Sequence, residues 1–377
     1  MRIERRLTTP RWLVVAVPAA SLVAAFAAVG VVLLVAGKDP LSTYVRLLDR
    51  GFLAPGALTS TLVTATPLLL TGLAAAAAFR MRLWNIGAEG QLYLGAVGAS
   101  GVGLALHGRP AVVIIAGMML GGALAGGAYA VVPGLLKAYF NTNEIITTLM
   151  LNYVAGLFIT YLIFDSQSYW RDLSTFSSRV FPQGKALPGD ALWPSFNLEL
   201  AVVPFGFVIG LVAAALLWLY YGSTSLGFEA RVLGDSPSAA RYAGIKTRRV
   251  VVTMMGLSGA LAGLGGASEI GDFRHVLDPR GLQQLGIGYA GIVVAALARY
   301  NPFAVAIVAL LLGGLTNAGY ALQGPEFPSG LVGVLQGMIL FFALGGELLL
   351  RYRVTFGMRP AAPPRGLAVA APGAARR

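Results

Sequence analysis

Residues 222–249 read GSTSLGFEARVLGDSPSAARYAGIKTRR, a polar stretch between two long apolar segments. The stretch predicts a short amphipathic helix. Ser236 can cap the start of this helix, Pro237 suits a first turn in which its missing N–H is not needed, and Gly244 can end it. A helix held between two apolar segments is placed to receive force from a partner.

The composition of the chain indicates a polytopic membrane protein. Hydrophobic residues make up 56% of the 377 residues, charged residues make up 12%, and the mean hydropathy is +0.73, whereas about a quarter of the residues in a soluble domain are charged. The formal charge of +12 is spread over loops beside apolar segments, which favours lipid headgroups over nucleic acid. With no cysteine and two distant histidines, His107 and His275, the sequence offers no metal site.

Ten segments approach the roughly 20 apolar residues that a spanning helix needs. They cover 13–36, 58–79, 91–106, 111–136, 145–164, 200–221, 250–267, 284–298, 302–322 and 329–350. With the N-terminus inside, 19 of the 28 Lys and Arg residues lie in inner loops and nine in outer loops, which predicts that both termini are cytoplasmic. The first segment is longer than the apolar core of a signal peptide, so we expect it to be retained.

The segments repeat along the chain. The second to fifth segments correspond to the seventh to tenth at separations of about 186 to 193 residues. Each half then holds five helices, an odd number, so the two halves must be inverted in the membrane. The third and eighth segments are the shortest, and both are interrupted by glycine, the eighth at Gly286 and Gly288. Short segments interrupted by glycine at matching places in two halves are typical of a translocation site. Close helix packing is the alternative. The sequence GALAG, at 122–126 and again at 259–263, is assigned to packing alone.

Two polar sets could line a pathway. The first set lies in RMRLWNIGAEGQ (80–91). The second set lies in NEIITTLMLN (143–152), where polar residues recur every four positions and therefore follow one face of a helix. A polar stripe on a membrane helix should face the bundle interior or a water-filled cavity. Helix capping for the first set and interhelical hydrogen bonding for the second are the alternatives. The predicted pathway residues are Asn85, Glu89, Gln91, Glu144, Thr148 and Asn152.

The outer loop 165–199 carries aromatic and charged residues. Aromatic residues near a membrane edge normally anchor the protein there, but exposed aromatic residues beside arginine are also typical of protein interfaces. The predicted docking surface for an external partner comprises Tyr169, Trp170, Arg171 and Asp172, with Arg274 from the next outer loop.

The sequence shows no hydrolytic machinery, and we expect that this chain is not an enzyme. There is no P-loop GxxxxGK[ST], no HExxH and no G-x-S-x-G. The acids assigned to the apolar segments are Glu89, Glu144 and Glu347, all at segment ends, so the buried ionisable relay of a proton-coupled carrier is also missing. Energy for transport must therefore come from a partner, and residues 222–249 are the place where it would enter.

Three motifs together resemble the permease subunits of nucleoside-type ABC importers, within the branched-chain amino acid and ribose permease superfamily. They are WNIGAEGQLYLGA (84–96), NEIITTLMLNYVA (143–155) and LGFEARVLGDSPSAARYAGI (226–245), and the resemblance extends over about 58–350. In that family the third motif is the cytoplasmic coupling helix that docks on the ATPase. The resemblance assigns to that helix Gly227, Arg231, Gly234, Ala239, Ala240, Gly244 and Ile245.

The resemblance also implies partners: a second permease subunit, a cytoplasmic tandem ATPase that holds ATP and Mg, and a lipid-anchored substrate-binding protein. No cofactor is expected in this chain itself. The implied solute is a nucleoside, with a purine preferred, but sugar importers lie close by in the superfamily. On this view a charge introduced at Ala240 should uncouple transport and leave folding intact.

We predict an all-α polytopic protein of the bacterial plasma membrane, resembling a type II ABC importer, with ten transmembrane helices in two inverted five-helix repeats. The alternatives are a sugar permease, an ion-coupled secondary transporter, and a membrane enzyme or scaffold. The predicted parts are a cytoplasmic N-terminal segment (1–12), the first half with the first helix of the second half (13–221), the coupling loop (222–249), the remainder of the second half (250–350) and a disordered cytoplasmic tail (351–377).

Overall fold

The computed structural model of the chain describes residues 2–5 and 10–323 and, discontinuously, residues between 330 and 355. The described chain is predominantly helical. Its helices are α1 Arg11–Val35, α2 Pro40–Leu48, α3 Ala57–Phe79, α4 Ala88–Ala105, α5 Ala111–Phe140, α6 Glu144–Thr160, α7 Phe176–Val180, α8 Phe205–Ser223, α9 Ser225–Asp235, α10 Pro237–Tyr242, α11 Thr247–Ser268, α12 Pro279–Leu285, α13 Ile287–Leu297 and α14 Pro302–Ala321.

Short π-helical and extended elements complete the described fold. The π-helical segments are Asp49–Leu53, Tyr161–Asp165 and Glu269–Arg274, and a 3₁₀ turn covers Gly189–Ala191. Two antiparallel ribbons pair β1 (Arg2–Arg5) with β4 (Tyr352–Thr355) and β2 (Ser195–Asn197) with β3 (Val202–Pro204). The tail beyond residue 355, predicted to be disordered, lies outside the described residues.

Six helical stretches are each long and apolar enough to cross a membrane, and a seventh counts if the pair Val23–Val35 and Pro40–Leu53, bent by 119°, forms one span. The count of ten is therefore not reached among the described residues. The eighth predicted segment is divided into α12 and α13, and much of the tenth lies outside the described residues. The six stretches are Ala57–Phe79, Ala111–Phe140, Glu144–Asp165, Phe205–Ser223, Thr247–Arg274 and Pro302–Ala321.

Helix α3 lies at the centre of the bundle. Within its most apolar window 89% of the residues are buried, against 28% for α5 and for α6, so those two helices lie at the periphery of the bundle. Helix α11 packs on α4 and α5, and α3 packs in the same way on α13 and α14. Each predicted half therefore places a helix among helices of the other half, and the inverted relation of the two halves remains a prediction.

Glycine allows the closest helix contacts. The two GALAG sequences lie against each other: a Cβ added at Gly126 would lie 2.4 Å from the carbonyl oxygen of Gly259, and one at Gly263 would lie 2.2 Å from that of Gly122. Their assignment to packing is confirmed. In α4, a Cβ at Gly95 would lie 2.3 Å from the Cα of Gly263.

The predicted interruptions of the third and eighth segments have different outcomes. Helix α4 is continuous over Ala88–Ala105, so the predicted break in the third segment is wrong, because its glycines serve contact with α11 and α5. The eighth segment does break, at Gly286, whose φ of +57° separates α12 from α13. The sixth predicted segment starts late, at Phe205, because β3 pairs with β2 as far as Pro204.

Candidate functional site

Asn85 holds the chain between α3 and α4 inside the bundle. The side chain is fully buried; its Nδ2 donates to Gln91 Oε1 and Ser258 Oγ, both at 2.9 Å, and its Oδ1 accepts from the N–H of Gly87 at 2.9 Å. Ser258 in turn donates to the carbonyl of Ala74 at 2.7 Å. One buried amide thus links the start of α4 to α11 and α3 with its hydrogen-bonding groups satisfied.

Glu89 joins the two halves of the chain. Its buried carboxylate accepts hydrogen bonds from the Tyr93 hydroxyl at 2.6 Å and from the backbone N–H groups of Gly288 at 2.5 Å and Tyr289 at 3.3 Å. Those two N–H groups belong to the first turn of α13, which lacks intrahelical partners for them. Glu89 therefore caps a helix about 200 residues away, at the end where a negative charge is stabilised.

The polar stripe of α6 faces the bundle interior, as predicted. Thr148 accepts from the N–H of Ile86 at 3.2 Å, and Asn152 accepts from the N–H of Gly90 at 2.9 Å and donates to the carbonyl of Ile86 at 2.9 Å. Asn152 also donates to the Tyr289 hydroxyl at 3.1 Å. The stripe therefore makes interhelical hydrogen bonds, which are the alternative to lining a pathway.

Glu144 begins the stripe with a different contact. It is buried and forms a 2.9 Å ion pair with Lys137 Nζ across the turn between α5 and α6. The predicted pathway set, with Gly286 and Gly288, lies around the starts of α4, α6 and α13, and all of its residues are buried except Gly286, which is half-buried. A role for these residues in solute passage remains a prediction.

A cavity of about 750 Å³ lies between α3, α12, α14 and the π-helical segment Glu269–Arg274. None of the predicted pathway residues is among its described lining residues. The lining combines hydroxyl and amide side chains with apolar side chains and two aromatic rings. The polar and aromatic lining residues are Thr59, Ser60, Thr64, Glu269, Phe273, Arg274, Gln284, Thr316, Asn317, Tyr320 and Gln323.

Arg274 lies in the wall of this cavity rather than on an outward surface. Its Nε pairs with Glu269 Oε2 at 2.8 Å, its Nη1 with Asp278 Oδ2 at 3.2 Å, and its Nη2 donates to the carbonyl of Gly281 at 3.1 Å. The side chain is only 13% exposed. Among the described residues no group of three His, Cys, Asp or Glu side chains is placed to hold a metal ion.

The sequence assignment of acids within the bundle missed Glu269, which is buried, and Asp272, which is half-buried. Glu269 is buried against Arg274, and Asp272 Oδ2 accepts from the N–H of Gly206 at 2.9 Å, at the start of α8. A signal was present: the two acids and the arginine follow the seventh apolar segment directly, where helical continuation carries them into the bundle. The sequence segment ended at 267, whereas the helical stretch continues to Arg274.

The segment after α8 forms two helices, α9 and α10, rather than one. Ser236 ends α9 and caps α10, accepting from the N–H of Ala239 at 3.3 Å; Pro237 opens α10, and Gly244 follows it with a φ of +74°. The three predicted cap and turn assignments are confirmed. The break arises because the extended backbone of Ser236 cannot continue a helix.

The seven predicted coupling residues differ in accessibility. Ala239 and Gly244 are exposed, Arg231 and Ile245 are half-buried, and Gly227, Gly234 and Ala240 are buried within this chain. A Cβ on Gly234 would lie 2.9 Å from the Cα of Met81, so α9 packs on the turn after α3. The expectation that a charge at Ala240 leaves folding intact is inconsistent with this burial, and a role of the segment in coupling remains a prediction.

The predicted outer docking residues largely serve their own loop. Trp170 Nε1 donates to the carbonyl of Val97 at 3.1 Å, and Arg171 donates to the carbonyls of Phe164 and Ser166 at 3.3 and 3.1 Å. Tyr169 is partly exposed, with the Lys185 ammonium 4.8 Å from its ring centroid. Two aromatic side chains outside the predicted set, Phe176 and Phe181, are more exposed.

Two carboxylates stabilise these loops. The N–H of Ser174 lowers the pKa of Asp172 below its usual value, and the N–H of Gly108 does the same for the pKa of Asp190. Asp190 also accepts from His107 at 3.1 Å, which ties the loop after α4 to the 3₁₀ turn. The docking role of the predicted set remains a prediction.

Residues 57–344 match the protein family described as branched-chain amino acid transport system / permease component. The chain is 32% identical to the glucose ABC transporter permease protein TsgB13 of Haloferax volcanii, over 94% of this chain and 93% of that protein. It is 34% identical to the guanosine ABC transporter permease protein NupP of Bacillus subtilis (86% and 92%) and 29% identical to the nucleoside ABC transporter permease protein NupB of Lactococcus lactis (87% and 90%). No solved structure matches the chain.

Proposed function

The chain belongs to the branched-chain amino acid transport permease family, and from this premise we propose that it is the membrane subunit of an ATP-driven importer for nucleosides. The observation that carries the proposal is its 34% identity to a guanosine permease, extending over 92% of that protein. A second relative named for nucleoside transport supports the same solute class. A purine preference is the finer form of the proposal.

A sugar permease is the second candidate function. It is favoured by the 32% identity to a glucose permease over nearly the whole of both chains. Both solutes are small, hydroxylated and uncharged, and the hydroxyl and amide side chains that line the cavity suit either one. Sequence identity at this level therefore identifies the class of transporter but does not distinguish a nucleoside from a sugar as the solute.

The energy source in this proposal is a separate tandem ATPase, with ATP and Mg held by that subunit and no cofactor in this chain. The segment formed by α9 and α10 is the proposed contact, because it is short, polar and exposed at Ala239, Arg241 and Tyr242 while its buried residues fix it to the bundle. The distribution of Lys and Arg supports placing this segment and both termini on the cytoplasmic side of a bacterial plasma membrane.

The remaining proposed partners are a second permease subunit and a lipid-anchored binding protein on the outer side. The exposed aromatic residues of the outer loop, Tyr169, Phe176 and Phe181, support a docking surface there. The second permease would cover part of the lipid-facing and exposed sides of the bundle, as a heterodimer.

Reconstitution tests the proposal. The proteoliposomes contain the two permeases and the ATPase, and the binding protein is supplied to them. They should take up radiolabelled guanosine only when ATP is present on the side of the membrane that carries the ATPase. The chain alone should give no uptake under a proton or sodium gradient. Gradient-driven uptake by the chain alone would identify a secondary transporter, and ATP-dependent uptake of glucose without guanosine would identify a sugar importer.

A further inference from the structure

Two aromatic rings face the 750 Å³ cavity. Phe273, in the π-helical segment after α11, is 54% exposed, and Tyr320, near the end of α14, is 47% exposed. Both belong to the described lining. A planar ring bound in the cavity could therefore stack on them.

The charges in the cavity wall compensate each other. Glu269 and Arg274 are the charged residues among the described lining, and they are paired at 2.8 Å. The other guanidinium contacts go to Asp278 and to the carbonyl of Gly281. Since these contacts occupy the arginine, a phosphate or carboxylate entering the cavity would meet no uncommitted cation in the described lining, and the site favours an uncharged solute.

The polar lining offers acceptors for hydroxyl groups. Thr64 donates its hydroxyl proton to the carbonyl of Ser60 at 2.9 Å, which leaves its oxygen lone pairs for a ligand. Asn317 donates its amide hydrogens to the carbonyl of Ala57 and to Thr61 Oγ1, at 3.3 and 3.2 Å, and its Oδ1 remains an acceptor.

The lining also includes apolar side chains, among them Pro67, Leu68 and Ile287. A volume of about 750 Å³ lies within the range of sites for small molecules. The lining therefore combines a surface for a flat apolar face with acceptors for hydroxyl protons.

We propose that this cavity binds the solute in transit, and that Phe273 and Tyr320 stack on its ring. The solute class that fits is an uncharged heteroaromatic ring carrying hydroxyl groups, a nucleoside rather than a nucleotide or a simple sugar. This inference rests on the proposed importer function. It places the solute beside α3 and α14.

The first test compares F273L and Y320L in the complete reconstituted importer. Loss of one aromatic face should lower the maximal rate of guanosine uptake about tenfold, the scale of base stacking on an aromatic side chain. The KM, which is set by delivery from the binding protein, should stay unchanged. Y320F should retain uptake, and F140L, which removes an exposed ring of α5 outside the cavity lining, is the matched control.

The second test uses the absence of cysteine from the chain. Ser60→Cys places a unique thiol in the cavity lining, and guanosine should slow its reaction with a maleimide during turnover, whereas glucose and guanosine monophosphate should not. The slowing should be lost when F273L is added.

Three results would overturn the inference in different ways. Normal guanosine uptake by F273L and Y320L, or no protection of the thiol by guanosine, would remove the solute from this cavity while leaving the importer function intact. Protection by glucose alone would assign the cavity to a sugar. A complete wild-type importer that takes up neither solute would overturn the proposed function, and the role of the cavity with it.

Discussion

Glu89 is a buried carboxylate whose hydrogen bonds reach across the two halves of the chain. It lies in the first turn of α4 and accepts from the first turn of α13. Two helix starts, each the positive end of a helix dipole, therefore share one negative side chain. The carboxylate satisfies backbone groups that the bundle interior would otherwise leave without partners.

Glu89→Ala should destabilise the protein by about 2 kcal/mol or more, because it leaves two N–H groups of α13 and the Tyr93 hydroxyl without their acceptor. Denaturant titration of the purified protein in detergent measures this change. Glu89→Gln should lose less, since it keeps one acceptor oxygen, and the exposed Glu199→Ala is the control. An unchanged midpoint for Glu89→Ala would mean that water replaces the carboxylate.

Helices α9 and α10 illustrate how a segment can be fixed to its own bundle and still present a surface. Gly227 and Gly234 allow close approach to the end of α8 and the turn after α3, while Tyr242 projects with 97% of its surface exposed. The buried and exposed residues alternate within a few positions. Substitutions in this segment should therefore separate into two classes.

Tyr242→Ala should leave the stability of the chain unchanged, because it removes only an exposed side chain. It should reduce ATP-dependent uptake, because that side chain lies on the surface proposed to contact the ATPase. Ala240→Asp should instead destabilise the chain itself, because it buries an unpaired charge in a fully buried position. Thermal unfolding and co-purification with the ATPase distinguish the two variants. Equal stability of Ala240→Asp and the wild type would contradict the burial of this position.

The contact between α4 and α11 depends on the absence of side chains. Gly95→Ala should destabilise the protein by about 1–3 kcal/mol, because the new methyl group would meet the backbone of Gly263, which cannot rotate away. Gly222→Ala, in α8 with no atom within 4 Å of the added carbon, should be neutral or stabilising by about 0.5–1 kcal/mol. Denaturant titration compares the pair, and equal effects would mean that the helices can separate without cost.

The protein as a whole is a multi-pass membrane bundle in which α3 and α11 each lie among helices of the opposite half. Because each spanning helix carries the chain from one side of the membrane to the other, the side on which one loop lies determines the sides on which the other loops lie. The distribution of basic residues then predicts on which side α10 and α7 lie.

Single cysteines measure this orientation directly, since the chain has none of its own. Ser238→Cys in α10 should react with an impermeant maleimide only in inside-out vesicles, and Ser177→Cys in α7 only in intact cells. Both positions are exposed, so a lack of reaction would reflect the membrane and not burial in the chain. The reverse labelling pattern would invert the predicted topology.

The sequence by itself determined most helix positions, the inward polar face of α6, the packing of the GALAG sequences and the cap at Ser236. Each of these follows from apolar length, from a four-residue period or from local backbone chemistry, which neighbouring residues alone specify. The predicted break in α4 failed because the glycines of this helix contact remote helices, and the expectation that Ala240 tolerates a charge failed because this position is buried.

Only the tertiary structure decided which polar groups meet. The pairing of Glu89 with the start of α13 joins residues about 200 positions apart, and the cavity is assembled from α3, α12, α14 and the segment after α11. Arg274 moved from a predicted outer surface to that cavity because Glu269 and Asp278 hold it there. Such contacts depend on how the two halves interlock, and no local period or composition records the distance between residues so far apart in the chain.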